Sequence, residues 1–282
     1  MDEGDPNRTW PFDPLDSTSG RKKRTMHPRN SPGAIQQAWD RLTADYTQHT
    51  GPVGRRAPLA RTELSVILRE IYAGRAHDIL DAGGGGGYHA VKLAAAGHNV
   101  TIVDLSAEML AVARQRVAQA NLKERVECIQ GDIRHMDRIP DAAFDVVVAC
   151  GTVVSDCGDP SAALGEFARV LRPGGKTCVS LRTPRSLDLH GEKDSEHSEP
   201  GVVRGHQAFD WHLFDHAGAE RVFVEAGLTP LCAVPVGCET PPETDNRRIM
   251  AAYVRRHLDL TDDAEALQNA VELMLVARKP AD

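Results

Sequence analysis

The chain has 282 residues, enough for one large α/β domain or two small ones. Its 41% hydrophobic and 26% charged content is that of a soluble globular protein, and the net charge of −7 does not favour nucleic acid as the main partner. No apolar run approaches the roughly 18 residues a membrane span needs, and the acidic first 20 residues lack the apolar core of a secretion signal. Cys128, Cys150, Cys157, Cys178, Cys232 and Cys238 show no C-x-x-C spacing, which predicts neither a zinc site nor a disulfide framework and fits a reduced, cytoplasmic setting.

Residues 1–32 are rich in Pro, Asp, Ser and Gly and carry the run Arg21 to Arg24; they predict a disordered, solvated tail. Residues 33–74 predict a helical cap. Ile35, Ala38, Trp39, Leu42 and Tyr46 recur at helical spacing, and a second helix, LARTELSVILREIYAG, ends at Gly74. From residue 75 to the end the pattern alternates. Apolar, β-branched runs at 78–83, 99–105, 125–131, 144–150 and 176–182 read as buried parallel strands. Between them lie helices, one capped by Ser106 and one starting on Ser161 and stopping at RPGG. This is the signature of a doubly wound α/β sheet. The polar segment 184–214 breaks the rhythm and predicts a substrate lid. A helix (215–227), a strand (LTPLCAVPVG), a Pro-rich loop, helical stretches from about 246 to 268 and a final apolar strand (270–279) follow.

Five consecutive glycines, Gly83 to Gly87, follow the first strand and its Asp81. In an open α/β sheet the ligand sits at the carboxyl ends of the strands, so this loop is the default binding site. Gly83, Gly85 and Gly87 fall in a D-x-G-x-G-x-G frame from Asp81. The strict dinucleotide frame G-x-G-x-x-G is not met; only the variant ending on Ala90 is. A carboxylate just ahead of the glycines would repel a pyrophosphate and favour a cation, such as the sulfonium and ammonium of S-adenosylmethionine; its competing role is to cap the turn. Asp104 ends the second strand, where an acid suits ribose hydroxyls. Asp132 and the Ile133 N–H, after the third strand, suit an adenine edge, and Leu105 its face.

The set ILDAGGGGGYHAVKLAAAGHNVTIVDLS, IQGDIRHM, FDVVVACGTVVSDCGDP and EFARVLRPGGKTCVSL resembles the class I S-adenosylmethionine-dependent methyltransferases. The resemblance implies a Rossmann-like, mostly parallel seven-stranded sheet whose last strand, ELMLVARK, inserts antiparallel. It also implies cofactor contacts at Asp81, Gly83, Gly85, Asp104, Asp132 and Ile133, and places Cys150 and Gly151 near the methionine part. Gly87 completes the frame, while Gly84 and Gly86 fall where other small residues should serve. Tyr46 is expected either to close over the cofactor or to pack in the core. The segment after the fourth strand, TVVSDCGDP, departs from the family pattern on the substrate side.

Methyl transfer is an in-line displacement from a sulfonium, so the enzyme mainly orients and desolvates, with a base where the nucleophile must lose a proton. Residues 184–216 hold five histidines and seven acids against three bases. His212 and His216, flanked by apolar residues, and Asp156, past the fourth strand, are the candidate bases; no compact spacing suggests a metal. The favoured function is O- or N-methylation of a small molecule, with S-adenosylhomocysteine as the second product. The opening DAGGG also resembles enzymes that methylate a modified tRNA nucleoside, for which RKKR and GRRAPLAR could meet phosphates. A non-catalytic adenosine-binding regulator is the third possibility.

Overall fold

The computed structural model describes residues 30–52, 54, 56–71, 75–187, 197–199, 202–204, 210–239 and 246–281. The predicted tail therefore lies almost wholly outside the described residues, but its last part belongs to the fold. Asn30 is only 4% exposed, and its side-chain carbonyl accepts the Asp210 N–H.

In chain order the elements are α1 (Pro32–Asp45) followed by a π-helical turn (Tyr46–Thr50), α2 (Ala57–Ile71), β1 (Asp78–Ala82), α3 (Tyr88–Ala95), β2 (Asn99–Asp104), α4 (Ala107–Gln119), β3 (Val126–Gln130), β4 (Phe144–Ala149), α5 (Val153–Asp156) and α6 (Pro160–Val170). Then come β5 (Leu171–Arg182), β6 (His197–Glu199), β7 (Val202–Arg204), β8 (Asp210–His212), α7 (His216–Glu225), β9 (Thr229–Val236), α8 (Arg247–Asp259), α9 (Ala264–Asn269) and β10 (Glu272–Arg278).

Seven strands form one sheet in the order β3-β2-β1-β4-β5-β10-β9. β10 runs antiparallel to both of its neighbours, and β1 runs parallel to β2 and β4. Alternate residues of each strand feed opposite faces. On β10, Leu273, Leu275 and Ala277 join a core with Phe167 of α6 and Phe223 of α7. Met274 and Val276 join the other core, with Val66 and Ile67 of α2 and Leu93 of α3. Both faces are covered, which is why these strands read as continuous apolar runs.

Two predicted boundaries move. The helix α6 is capped by Asp159, whose carboxylate accepts the Ala162 N–H at 3.0 Å, and not by Ser161; Pro160 fits the first turn because it has no N–H to leave unpaired. β5 begins at Leu171, already paired with Phe144, and takes in the RPGG turn across a register shift. The segment 184–214 contains a small sheet in the order β6-β7-β8, which the sequence pattern does not foretell. The apolar stripe of α1 packs there: Ile35 and Ala38 meet Trp211 and Leu213.

Candidate functional site

The glycine loop links β1 to α3. The Gly83 N–H donates to the Val103 carbonyl, the Gly87 N–H to Gly84, and the Gly85 N–H to the Asp104 carboxylate at 2.8 Å. Gly83, Gly85 and Gly87 all have positive φ (68°, 51° and 75°), a region costly for other residues. A Cβ on Gly83 would fall 2.3 Å from Val153. The expectation for Gly84 is overturned: a Cβ there would meet the Asp81 carboxylate at 2.7 Å, so the position takes no side chain without displacing a buried acid. At Gly86 a Cβ would meet the tip of Arg116 at 2.9 Å, and that guanidinium already donates to the Gly86 and Thr47 carbonyls.

Two joined cavities lie at this end of the sheet. The larger, about 630 Å³, is lined by Gly83, Gly85, Asp104, Leu105, Asp132, Ile133, Cys150 and Gly151, with Ile35, Trp39 and Tyr46 of the N-terminal segment across from them. The second, about 480 Å³, continues past Tyr46, Gly83, Cys150 and Gly151 to Asp81, Arg56, Glu63 and His89. The structure thus gathers every residue expected to meet the cofactor except Gly87, which lines neither cavity and instead begins α3.

Each acid is held differently. Asp81 is 1% exposed and receives a hydrogen bond from the Ala90 N–H in the first turn of α3, while its Oδ2 has no partner among the described residues. Burial pushes its carboxyl up to about 7. Asp104 pins the loop through Gly85 and accepts the Ser106 N–H at 2.9 Å; burial pushes it up to about 6. Each of its oxygens keeps a lone pair for a further donor. Asp132 is clasped by Arg134 at 2.7 Å.

Sequence reasoning missed a buried charge cluster. Arg56 donates to Glu272 at 2.9 Å and lies 3.5 Å from Glu63. Burial alone would raise the Glu63 carboxyl, but Arg56, His89 and the Gly151 N–H (3.0 Å) together hold it below the usual range. Burial pushes Glu272 up to about 7. Burial lowers His89, whose Nε2 lies 3.6 Å from Glu63. Glu63, His89 and Cys150 bring ligating atoms within 4.8 Å of one another, but Arg56 already holds the same carboxylate, which opposes a metal cation. The signal for Glu63 was present: a lone acid among the buried positions Leu59, Val66 and Ile67 of α2. Asp40 of α1, which accepts the Ser106 hydroxyl at 2.6 Å, gave no such signal.

The candidate bases separate. Asp156 lines the larger cavity but is gripped by Arg182. His212 lies 3.4 Å from the Ser155 carbonyl and lines neither cavity. His216 stands half-exposed at the start of α7, 3.6 Å from Glu220, and also lines neither. His190 and His206 lie outside the described residues.

Residues 79–175, from β1 to the turn in β5, match the model of a methyltransferase domain family. Over these residues the chain is similar to methyltransferase domains. The chain is 38% identical over 157 residues to malonyl-[acyl-carrier protein] O-methyltransferase of Erwinia billingiae, covering 55% of each chain. It is 30% identical over 112 residues to tRNA 5-carboxymethoxyuridine methyltransferase of Escherichia coli, covering 40% of this chain and 42% of that one. The chain thus matches about half the length of these relatives. The fold is shared more widely. Burkholderia thailandensis 1,6-didemethyltoxoflavin-N1-methyltransferase, solved with its acceptor and S-adenosylhomocysteine bound, superposes with a TM-score of 0.57 at 18% identity over 89% of this chain and 91% of that one. No described helix is long and apolar enough to cross a membrane, and all six cysteines are free.

Proposed function

We propose that the protein is an S-adenosylmethionine-dependent methyltransferase and that its acceptor is a small molecule or small acyl group admitted to the larger cavity. The observation that carries this reading is Asp81: a buried carboxylate with an unpartnered oxygen, beneath a glycine loop at the switch point between β1 and β4. Such a site suits a cation. It does not suit a pyrophosphate, because Arg56 and Arg116, the arginines lining the second cavity, are committed to carboxylates and backbone carbonyls.

The residues present fit the cofactor. In this reading Asp104 takes the ribose, Asp132 and Ile133 the adenine, and the second cavity the methionine part, which is supported by their lining the two joined cavities. When bound, the cofactor supplies a methyl group on a sulfonium, activated for in-line displacement. The chain supplies orientation and dryness. Ile35, Trp39 and Tyr46 cover the cavity, with Trp39 and Tyr46 edge to face at 5.1 Å. Burial raises the Tyr46 hydroxyl, so it stays protonated and acts as a donor. Asp156 shapes the acceptor side in its ion pair and leaves the acceptor to arrive already nucleophilic, as a carboxylate or free amine does.

Calorimetric titration with S-adenosylhomocysteine tests the cofactor; no binding below millimolar, with NAD binding instead, would overturn it. Labelled cofactor offered with small carboxylates and amines, a malonyl thioester and tRNA then tests the acceptor. Label in the tRNA alone would replace the small-molecule reading with the nucleic-acid one that one relative suggests.

A further inference from the structure

An open groove of about 970 Å³ lies between α2 and α8, apart from the cavities described above. Arg61, Arg247 and Arg255 line it together with Ser65, Met250, Val254 and Leu258, and no carboxylate does. All three arginines are exposed, and none has a carboxylate within salt-bridge distance among the described residues. Three arginines in one groove, none ion-paired among the described residues, stand out on a chain of net charge −7. Leu68, seven residues after Arg61 on α2, is 39% exposed.

The make-up of the groove selects among partners. An apolar floor with an arginine rim is how protein interfaces are built, with Met and Arg enriched and acids depleted. A single-stranded nucleic acid would call for aromatic platforms, and no aromatic residue lines the groove. The groove also lies next to the reaction site. Arg61 and Glu63 are two residues apart on α2, one facing the groove and the other the second cavity. Arg61 also hydrogen-bonds Tyr88, which lines that cavity. A partner seated in the groove would lie about one helix diameter, ~10 Å, from the methionine end of the site.

We infer that the α2–α8 groove docks a small acidic protein that carries the methyl acceptor. This inference rests on the methyltransferase reading and specifies how its acceptor is presented. Opposite charges at an exposed rim speed encounter and set partner choice, so binding should weaken with salt.

The test uses the full chain, an acyl carrier protein loaded with malonate as the acidic partner, and the double variant R247E/R255E, which leaves Arg61 and both cavities intact. The expected result is a dissociation constant for the loaded carrier raised about tenfold or more by the double reversal. The melting temperature and the affinity for S-adenosylhomocysteine should stay at wild-type values. Transfer to a malonyl thioester of a small thiol should also be unaffected. Unchanged carrier affinity, failure of the wild type to bind the carrier, or a reversal that weakens tRNA binding in its place would each overturn the docking inference. Failure of the wild type to bind S-adenosylhomocysteine is a different result and strikes the methyltransferase reading itself.

Discussion

The Arg182 guanidinium grips the Asp156 carboxylate through two nitrogens, at 2.8 Å and 3.1 Å, in a setting where both residues are almost fully buried. The same guanidinium lies over the Trp211 ring at 4.2 Å. Removing one member of such a pair leaves the other charge buried and uncompensated. D156N should therefore lose about 3–5 kcal/mol of stability by denaturant unfolding. A double exchange to apolar residues, D156L/R182M, should recover much of that loss. A D156N protein of undiminished stability but reduced kcat would instead restore Asp156 as a base.

The glycine run makes a second, contrasting expectation. G84A should destabilise by about 1–3 kcal/mol, because its methyl group enters the space of the Asp81 carboxylate. G165A, inside α6 with nothing within 4 Å of the new methyl, should stabilise by about 0.5–1 kcal/mol through helix propensity alone. Thermal melts of both variants decide the matter, and equal tolerance at the two positions would show that the loop is looser than its contacts imply.

Asp104 ties the loop to the end of β2 and faces the larger cavity, so its removal should be felt twice. D104A should weaken S-adenosylhomocysteine binding by about 1–3 kcal/mol in calorimetry, the scale for hydrogen bonds to a charged group. Affinity indistinguishable from wild type would remove Asp104 from the site.

Asp81, Asp104 and Glu272 are all pushed up, to about 7, 6 and 7, chiefly by burial. A carboxyl whose folded value exceeds its unfolded one stabilises the fold at low pH, and that contribution is lost as pH rises through 6 and 7. The ligand-free protein should accordingly melt at lower temperature at about pH 8 than at about pH 5.5. A cationic cofactor offsets the charge that appears, so S-adenosylmethionine should bind more tightly over the same interval, by about tenfold. Tighter binding at the acid end would contradict this charge arrangement.

The sheet and most of the residues that line the two cavities were legible in the sequence because each signal is local. Asp104 and Asp132 stand at or just past strand ends, and the glycines adopt the turn their spacing implies. The charge cluster was not legible in the same way. Arg56 and Glu272 are 216 residues apart, and only the sheet order brings them together. His216 is the opposite case: apolar neighbours in FDWHLFDH made it a candidate base, but Asp215 caps α7 and His216 stands half-exposed on its first turn beside Glu220, away from both cavities.

The reversed direction of β10 has one more effect. Being antiparallel, it presents its first residue, Glu272, opposite Arg182 at the end of the sheet where the parallel strands finish. Its apolar residues also fill the gap between β5 and β9. During synthesis, residues 79–175 emerge with the loop glycines and Asp104 before β10 does, so Arg56 then lacks its 2.9 Å partner Glu272 and β5 remains an open edge. Shortening the protein by its final strand would leave Arg56 with only the longer 3.5 Å contact to Glu63 in the cavity wall, and β5 as an edge prone to pair with other chains.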